Sequence, residues 1–285
     1  MIISKISGGL GNQMFQYAIA KSITHQTNDS LKLDISFYPQ QTLRKYELNL
    51  FNIEEDIASN NEIQKLAGDE NIWFRIKRKL GINPERPKSY FSEKETTAFD
   101  KKVFEYENNI YLDGYWQNEK YFRNIRAELL KGFTLKDDIS HAAKKYLDDI
   151  ENTASVSLHV RRGDYVQNTH TNSVHGICDL EYYQKAIAYI SKNIDSPTFY
   201  IFSDDINWCK DNFEFLENKV YIDDTKSAFD DFELMKSCRH NIIANSTFSW
   251  WGAWLNRNKD KIVISPAIWW SKRKSHIAPK EWIKL

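Results

Sequence analysis

Cysteine is scarce in this chain: 285 residues carry three, Cys178, Cys209 and Cys238, with no CxxC pair among them. That excludes a disulfide scaffold and a zinc knuckle and leaves scattered reduced thiols. An excess of one charge sign is missing too, because 39 Lys and Arg balance 39 Asp and Glu. The overall field of a nucleic-acid binder is therefore absent. No run approaches the roughly 18 apolar residues of a membrane span. The richest stretch, Ile242 to Leu255, is broken by Asn245, Ser246, Thr247 and Ser249. The first residues, MIISKISGGLGNQ, hold no apolar signal region, so the expectation is a cytoplasmic protein.

Ordinary globular usage, 41% apolar and 27% charged, excludes a disordered chain. At about 150 residues per domain the length predicts two domains. Aromatic residues reach 14%, and six of the nine tryptophans (Trp250, Trp251, Trp254, Trp269, Trp270, Trp282) fall in the last 36 residues. Such density reads as packed core ahead of a sugar-stacking platform.

The opening reads strand, glycine turn, helix: Ile2, Ile3 and Ile6, then Gly8-Gly9-Leu10-Gly11, then Phe15, Ala18, Ile19, Ser22 and Ile23 on one helical face. Leu31 to Ile35 is a second strand and Ile110 to Tyr115 another, with a polar, irregular region between them. Helices are expected over 119–131 and 139–150. After Thr153 strands (156–160, 198–202, 219–222, 241–244, 261–264) alternate with helices (180–192, 206–213, 232–238, 248–256), the pattern of a doubly wound parallel sheet. The predicted division is an N-terminal domain over 1–152 and a C-terminal domain over 153–285, its tail returning toward the N-terminal half.

Ligands of such sheets bind beyond the carboxyl ends of the strands. There lie Arg161-Arg162-Gly163-Asp164, Ser203-Asp204-Asp205, Asp223-Asp224-Thr225 and Asn245-Ser246-Thr247. Asp223-Asp224 reads as turn chemistry and Asp205 as a helix cap. Two adjacent guanidiniums repel unless an anion or carboxylates compensate them, and forked donors suit phosphate; Asp164 could orient one. The alternative is an Arg-Asp surface pair. Ser246, Thr247 and Ser249 put hydroxyls at a helix start, a second anion site. Gly9-Leu-Gly11-Asn12-Gln13-Met14, with Asp34 closing the second strand, is similar to a dinucleotide fingerprint and supports a competing reading as a nicotinamide-dependent oxidoreductase. Met14 stands where that fingerprint needs its third glycine. A non-catalytic glycan-binding protein is a third reading.

Taken together, Gly8-Gly-Leu-Gly-Asn-Gln-Met-Phe-Gln-Tyr-Ala18, His159-Val-Arg-Arg-Gly-Asp-Tyr165, Phe202-Ser-Asp-Asp205 and Asn245-Ser-Thr-Phe-Ser-Trp-Trp-Gly-Ala-Trp-Leu255 resemble the α1,2-fucosyltransferases of glycosyltransferase family 11, of bacterial type. The resemblance implies an α/β, GT-B-like fold of two Rossmann-like halves with a cleft between them. It implies an inverting, metal-independent transfer of L-fucose from GDP-fucose to the 2-hydroxyl of a galactose-terminated oligosaccharide, in glycan or O-antigen synthesis. By the same resemblance Arg161 meets the diphosphate and His159 lies near the guanine. Gly9, Gly11, Asn12 and Gln13 form the loop that reaches the β-phosphate and fucose. Asp231 (Asp230 by an alignment one residue different) is the carboxylate on guanine, and Ser246, Thr247 and Ser249 contact phosphate.

Charge grows on the β-phosphate as the fucose C1–O bond breaks, and Arg161, Arg162 and the 246–249 helix start would stabilise it without a divalent cation. The general base stays open between Asp164, His175 with its suitable unperturbed pKa, and the leaving phosphate itself. Trp73-Phe-Arg-Ile-Lys-Arg-Lys-Leu80 reads either as a solvated helix face or as peripheral contact with an anionic membrane surface.

Overall fold

A computed structural model describes residues 1–69, 76, 79–82, 85–106, 108–163, 177–270 and 275–285. The chain separates into two compact units, Met1–Lys136 and Asp137–Leu285. The first holds a four-stranded parallel sheet of order β2-β1-β4-β3, from β1 (Ile2–Lys5), β2 (Leu31–Asp34), β3 (Tyr90–Ser92) and β4 (Ile110–Asp113). Helix α1 (Leu10–Thr27) follows β1 directly, with Met14, Phe15, Ala18 and Ile19 fully buried. Helix α2 (Asn60–Ala67) starts at a capping box between Ser59 and Glu62. Both α2 and β3 lie in the region that reads as irregular in sequence.

One expected element differs. In place of a single helix over 119–131 the chain makes 3₁₀ turns at Glu119–Tyr121 and Arg123–Ile125, then helix α3 (Arg126–Gly132). The adjacent rings of Tyr121 and Phe122 are both fully buried. The backbone at Phe122 leaves helical geometry, with φ −146° and ψ 4°, which lets neighbouring side chains both turn inward where a regular helix would send them to different faces.

The second unit is a six-stranded parallel sheet of order β10-β9-β8-β5-β6-β7. Its strands are β5 (Ala154–Val160), β6 (Pro197–Ser203), β7 (Lys219–Tyr221), β8 (His240–Ile242), β9 (Val263–Ser265) and β10 (Ile283–Lys284). Helices α4 (His141–Asn152), α5 (Leu180–Asn193), α6 (Ile206–Asn212), α7 (Ala228–Ser237) and α8 (Thr247–Leu255) complete it. Two all-parallel Rossmann-like halves are the expected GT-B-like pairing. The units divide after Lys136, upstream of the boundary expected after residue 152, because α4 packs Ala143 and Ile150 against Leu234, Met235 and Cys238 of the second unit. The tail, expected to return toward the N-terminal half, closes on the second unit's own sheet, where β10 pairs with β9.

Trp250, Trp251, Trp254, Trp269 and Trp282 are buried, and the first three and Trp282 form one ring cluster with centroids 5.1 to 6.1 Å apart. They are core, as their density suggests. The three cysteines are buried and unbridged. Among the described residues no helix is long and apolar enough to cross a membrane.

At the β5–β8 junction Asn241, 1% exposed, donates to Ser157 Oγ at 2.7 Å and to the Met235 carbonyl at 2.8 Å. It also accepts from Asn256 Nδ2 at 2.8 Å. Asn241→Ala should lower unfolding free energy by about 1–3 kcal/mol, the cost of stranding buried partners, read as a lower urea midpoint.

Candidate functional site

Strand order fixes where the second unit can hold a ligand. The chain runs β5, β6, β7 to one side, then crosses back to place β8 on the other flank of β5. The topological switch therefore lies between β5 and β8, and a crevice opens at their carboxyl ends. Arg161-Arg162 follow β5, and Asn245-Ser246-Thr247 follow β8. The sequence brings its two strongest anion-binding signals to the two flanks of one switch point.

The like charges of the arginines are compensated by the residues after β6. Arg161 Nη1 pairs with Asp204 Oδ2 at 3.1 Å and Arg162 Nε with Asp205 Oδ2 at 3.4 Å. The Arg162 backbone N–H donates to Asp204 Oδ1 at 2.9 Å, and the Arg162 guanidinium lies 4.1 Å over the Trp208 ring. Any larger residue at 163 would displace the Asp204 carboxylate, since a Cβ there would stand 2.8 Å from Asp204 Oδ2. Asp205 also caps α6, accepting from Trp208 N, which is the role its position suggests. In the sequence Asp204 stands out only as a member of the strand-end run Ser203-Asp204-Asp205, and Trp208 does not stand out at all. The available signal was two carboxylates at the end of the strand next to two arginines.

Ser246 and Thr247 at the start of α8 are half-buried. Ser246 takes the N-cap position in extended geometry, yet its side chain makes no capping bond. Apart from short α3, which continues a 3₁₀ turn, α1 and α8 alone among the described α-helices start without a side-chain cap; Ser59, Ser140, Asp179, Asp205 and Ser227 cap the others. Ser249 departs from expectation: it is 1% exposed and its hydroxyl turns back to the Ser246 carbonyl at 3.3 Å. It is buried within the first turn of the helix, unlike the half-buried Ser246 and Thr247.

Burial and bonding distinguish Asp230 from Asp231. Asp230 is 3% exposed, and its two oxygens accept from the backbone of Ser140 at 2.9 Å and of Lys226 at 3.1 Å. Its task is to join α7 to α4. Asp231 is half-buried and accepts one bond, from Thr225 Oγ1 at 2.7 Å. Its pKa is raised to about 6, by burial first and by the charge of Asp230, against the Thr225 bond. His159, at the end of β5, is 6% exposed and its Nδ1 has no partner. Burial first and the Arg161 charge second push its pKa down to about 3, so the imidazole is neutral at physiological pH. Asp223 pairs with Lys210 at 2.7 Å.

In the first unit the glycine turn follows β1 at the analogous switch between β1 and β4. Gly8 has φ +79°, and a Cβ there would stand 2.8 Å from Asn12 Nδ2. Asn12 is half-buried and accepts from Gln117 Nε2 at 2.9 Å. Gln13 differs from its expected ligand role. It is fully buried; its Nε2 donates to the carbonyls of Gly8 at 3.2 Å and Lys45 at 2.8 Å, and its Oε1 accepts from Glu47 N at 2.9 Å. It ties loop 45–47 to the turn. Gln16 does the same for Ser7 and Gly114. A Cβ at Gly9 would meet Arg44 Nη1 at 3.7 Å, an ordinary contact, and Gly11 is buried in the first turn of α1. Asp34, the acidic element of the oxidoreductase reading, is 2% exposed and bonded by the Tyr111 hydroxyl and Ser36 N. No carboxylate oxygen is left facing a ribose there.

The chain matches glycosyl transferase family 11 over residues 1–285. The chain belongs to that family. It is 33% identical over 296 residues to an alpha-1,2-colitosyltransferase of Escherichia coli, with 100% of this chain and 99% of the relative aligned. It is 32% identical over 154 residues to the galactoside 2-alpha-L-fucosyltransferase SEC1 of Bos taurus, covering 51% of this chain and 42% of that protein. Among solved structures it is similar to an Arabidopsis thaliana FUT1 mutant in complex with GDP, with TM-score 0.51, 10% identity, 92% of this chain and 69% of that chain covered; that likeness concerns the fold.

In this family 11 glycosyltransferase Asp34 is engaged by its own neighbours and the tryptophans of the ring cluster are buried, which takes away the two features that favoured the oxidoreductase and the glycan-binding platform. Asp164, His175 and most of the Trp73–Leu80 patch lie outside the described residues. The raised pKa of Asp231 has a sign for stability. A carboxyl that holds its proton more tightly when folded adds stability below its unfolded pKa, near 4, and loses it as pH rises through about 6. Asp231→Asn should remove that component, so the gap in unfolding free energy between variant and parent should change between pH 4 and 6 and level off above.

Proposed function

We propose that the enzyme transfers L-fucose from GDP-fucose to the 2-hydroxyl of a terminal galactoside with inversion at C1. The observation that carries this is the juxtaposition across one switch point of Arg161-Arg162 and the uncapped α8 start with Ser246 and Thr247. The acceptor oxygen attacks C1 from the face opposite the diphosphate, the C1–O bond breaks, and its electron pair passes to the β-phosphate. The guanidiniums and the helix-start N–H groups oppose the growing charge. Neutral His159 and ionised Asp231 fit the guanine, the latter as acceptor for its ring and amino N–H groups. Asn12 of the first unit offers a further donor to the sugar phosphate. The acceptor's proton goes to His175, to Asp164 or to the departing phosphate.

The relative named for colitose supports a second donor reading, because colitose is L-fucose without its 3-hydroxyl. A site that hydrogen-bonds that hydroxyl rejects the deoxy sugar strongly, by about 10⁴-fold or more, whereas an apolar contact there favours the deoxy sugar weakly. Incubation of both GDP-sugars with galactosides, with linkage read by NMR, decides between them. Faster transfer of colitose, or a linkage other than α1,2, would overturn the fucose reading.

Arg161→Ala should lower turnover by about 10²–10³ while thermal unfolding stays near that of the parent; near-normal turnover in the folded variant contradicts the assignment. Two fixed cations at the diphosphate take the place a metal fills in metal-assisted transfer, so EDTA should change the rate by less than about twofold, measured against added Mg²⁺ or Mn²⁺.

A further inference from the structure

The first two turns of α1 carry three side-chain amides, Asn12, Gln13 and Gln16, and a fourth, Gln117, approaches from the turn after β4. Gln13 and Gln16 are each engaged at both ends by backbone or hydroxyl partners. Asn12 is different. Its Oδ1 accepts from Gln117 Nε2 at 2.9 Å, while its Nδ2 is bonded to no acceptor among the described residues. The Gly8 carbonyl, in the same turn, already takes Gln13 Nε2 and, at 3.1 Å, the Tyr38 hydroxyl. Gly8 itself makes room, since any Cβ would press on Asn12 Nδ2.

Gln117 is 6% exposed, and its Oε1 is buried without a partner. A buried acceptor left unmatched is costly, so the retained contact, Nε2 to Asn12, needs a reason. The turn that presents Gln117 is held firmly. Glu93 accepts from the backbone N–H of Tyr115 at 2.7 Å and of Trp116 at 2.9 Å. The Gln117 N–H donates to the Thr96 carbonyl at 3.1 Å. Trp116 sits at φ +57°, a left-handed conformation unusual for a bulky residue and kept only where surroundings over-determine it.

We infer that Gln117 is a positioning residue which fixes the polarity of the Asn12 amide. By donating to Oδ1 it leaves the NH₂ end of Asn12 for the ligand. An amide is nearly symmetric in shape, and rotation by 180° would exchange a donor for an acceptor that repels a phosphate oxygen. The helix start supplies the favourable potential, and Gln117 sets which end of Asn12 meets it. The inference rests on the proposed reading of Asn12 as a donor to the sugar phosphate.

The test is a double-mutant cycle read in GDP binding and in kcat and KM for GDP-fucose, with thermal unfolding as the folding check. Gln117→Glu presents only acceptor oxygens when ionised, so Asn12 must turn its NH₂ inward. The donor KM and the GDP Kd should rise about tenfold or more, with kcat less affected. Gln117→Met, neutral and close in size, leaves Asn12 free to rotate and should raise KM by a smaller factor at unchanged kcat. In an Asn12→Ala background both substitutions should become silent, since their effect passes through Asn12. If Gln117→Glu costs the same with Asn12 present or absent, its charge acts directly and the inference fails. It fails equally if Asn12→Ala weakens binding but both Gln117 variants do not. If Asn12→Ala is itself silent, the assigned role of Asn12 falls and the inference with it. Absence of GDP binding by the parent protein would instead overturn the nucleotide reading.

Discussion

Two guanidinium groups on adjacent residues repel, and the second unit is arranged to keep them side by side at the end of its central strand. Asp204 and Asp205 from the neighbouring strand supply one carboxylate to each, Trp208 supplies a ring face, and Gly163 supplies space. Each contact alone is a modest half-exposed pair. Their common effect is orientation: each fork is held in place by the protein's own groups, the preorganisation that the proposed charge stabilisation calls for. The parallel sheet makes this possible, because it puts the ends of β5, β6 and β8 along one edge. The Asn241–Ser157–Asn256 network then locks β5 to β8 beneath that edge.

The first unit solves a related problem with amides in place of charges. A glycine turn brings the backbone of β1 to a helix start, and buried glutamines hold the turn against loop 45–47, Ser7 and Gly114. The polar groups at the two switch points therefore differ in electrostatic character, fixed cations in one unit and oriented dipoles in the other.

Much of the second unit is legible in sequence because strand and helix alternate strictly after Thr153, and the residues at strand ends carry the chemistry. Arg161, Arg162, Ser246 and Thr247 emerge from that pattern alone. The first unit is harder to read. Strand β3 spans only Tyr90–Ser92, too short for an alternating signal, and the 119–131 segment follows burial of consecutive rings in place of helical periodicity. Gln13 and Ser249 have the residue types of ligands, but their neighbours in space, loop 45–47 and the Ser246 carbonyl, draw them inward. Asp230 and Asp231 are equivalent by position; only the backbone donors that saturate Asp230 tell them apart. Gln117 meets Asn12 from 105 positions away, a distance over which residue type carries no information.

The missing side-chain caps on α1 and α8 set these two helices apart from those that begin on Ser59, Ser140, Asp179, Asp205 or Ser227. A first turn that no capping side chain holds opens at lower free energy than the rest of its helix, so backbone amide exchange should begin at these two places and spread inward from them.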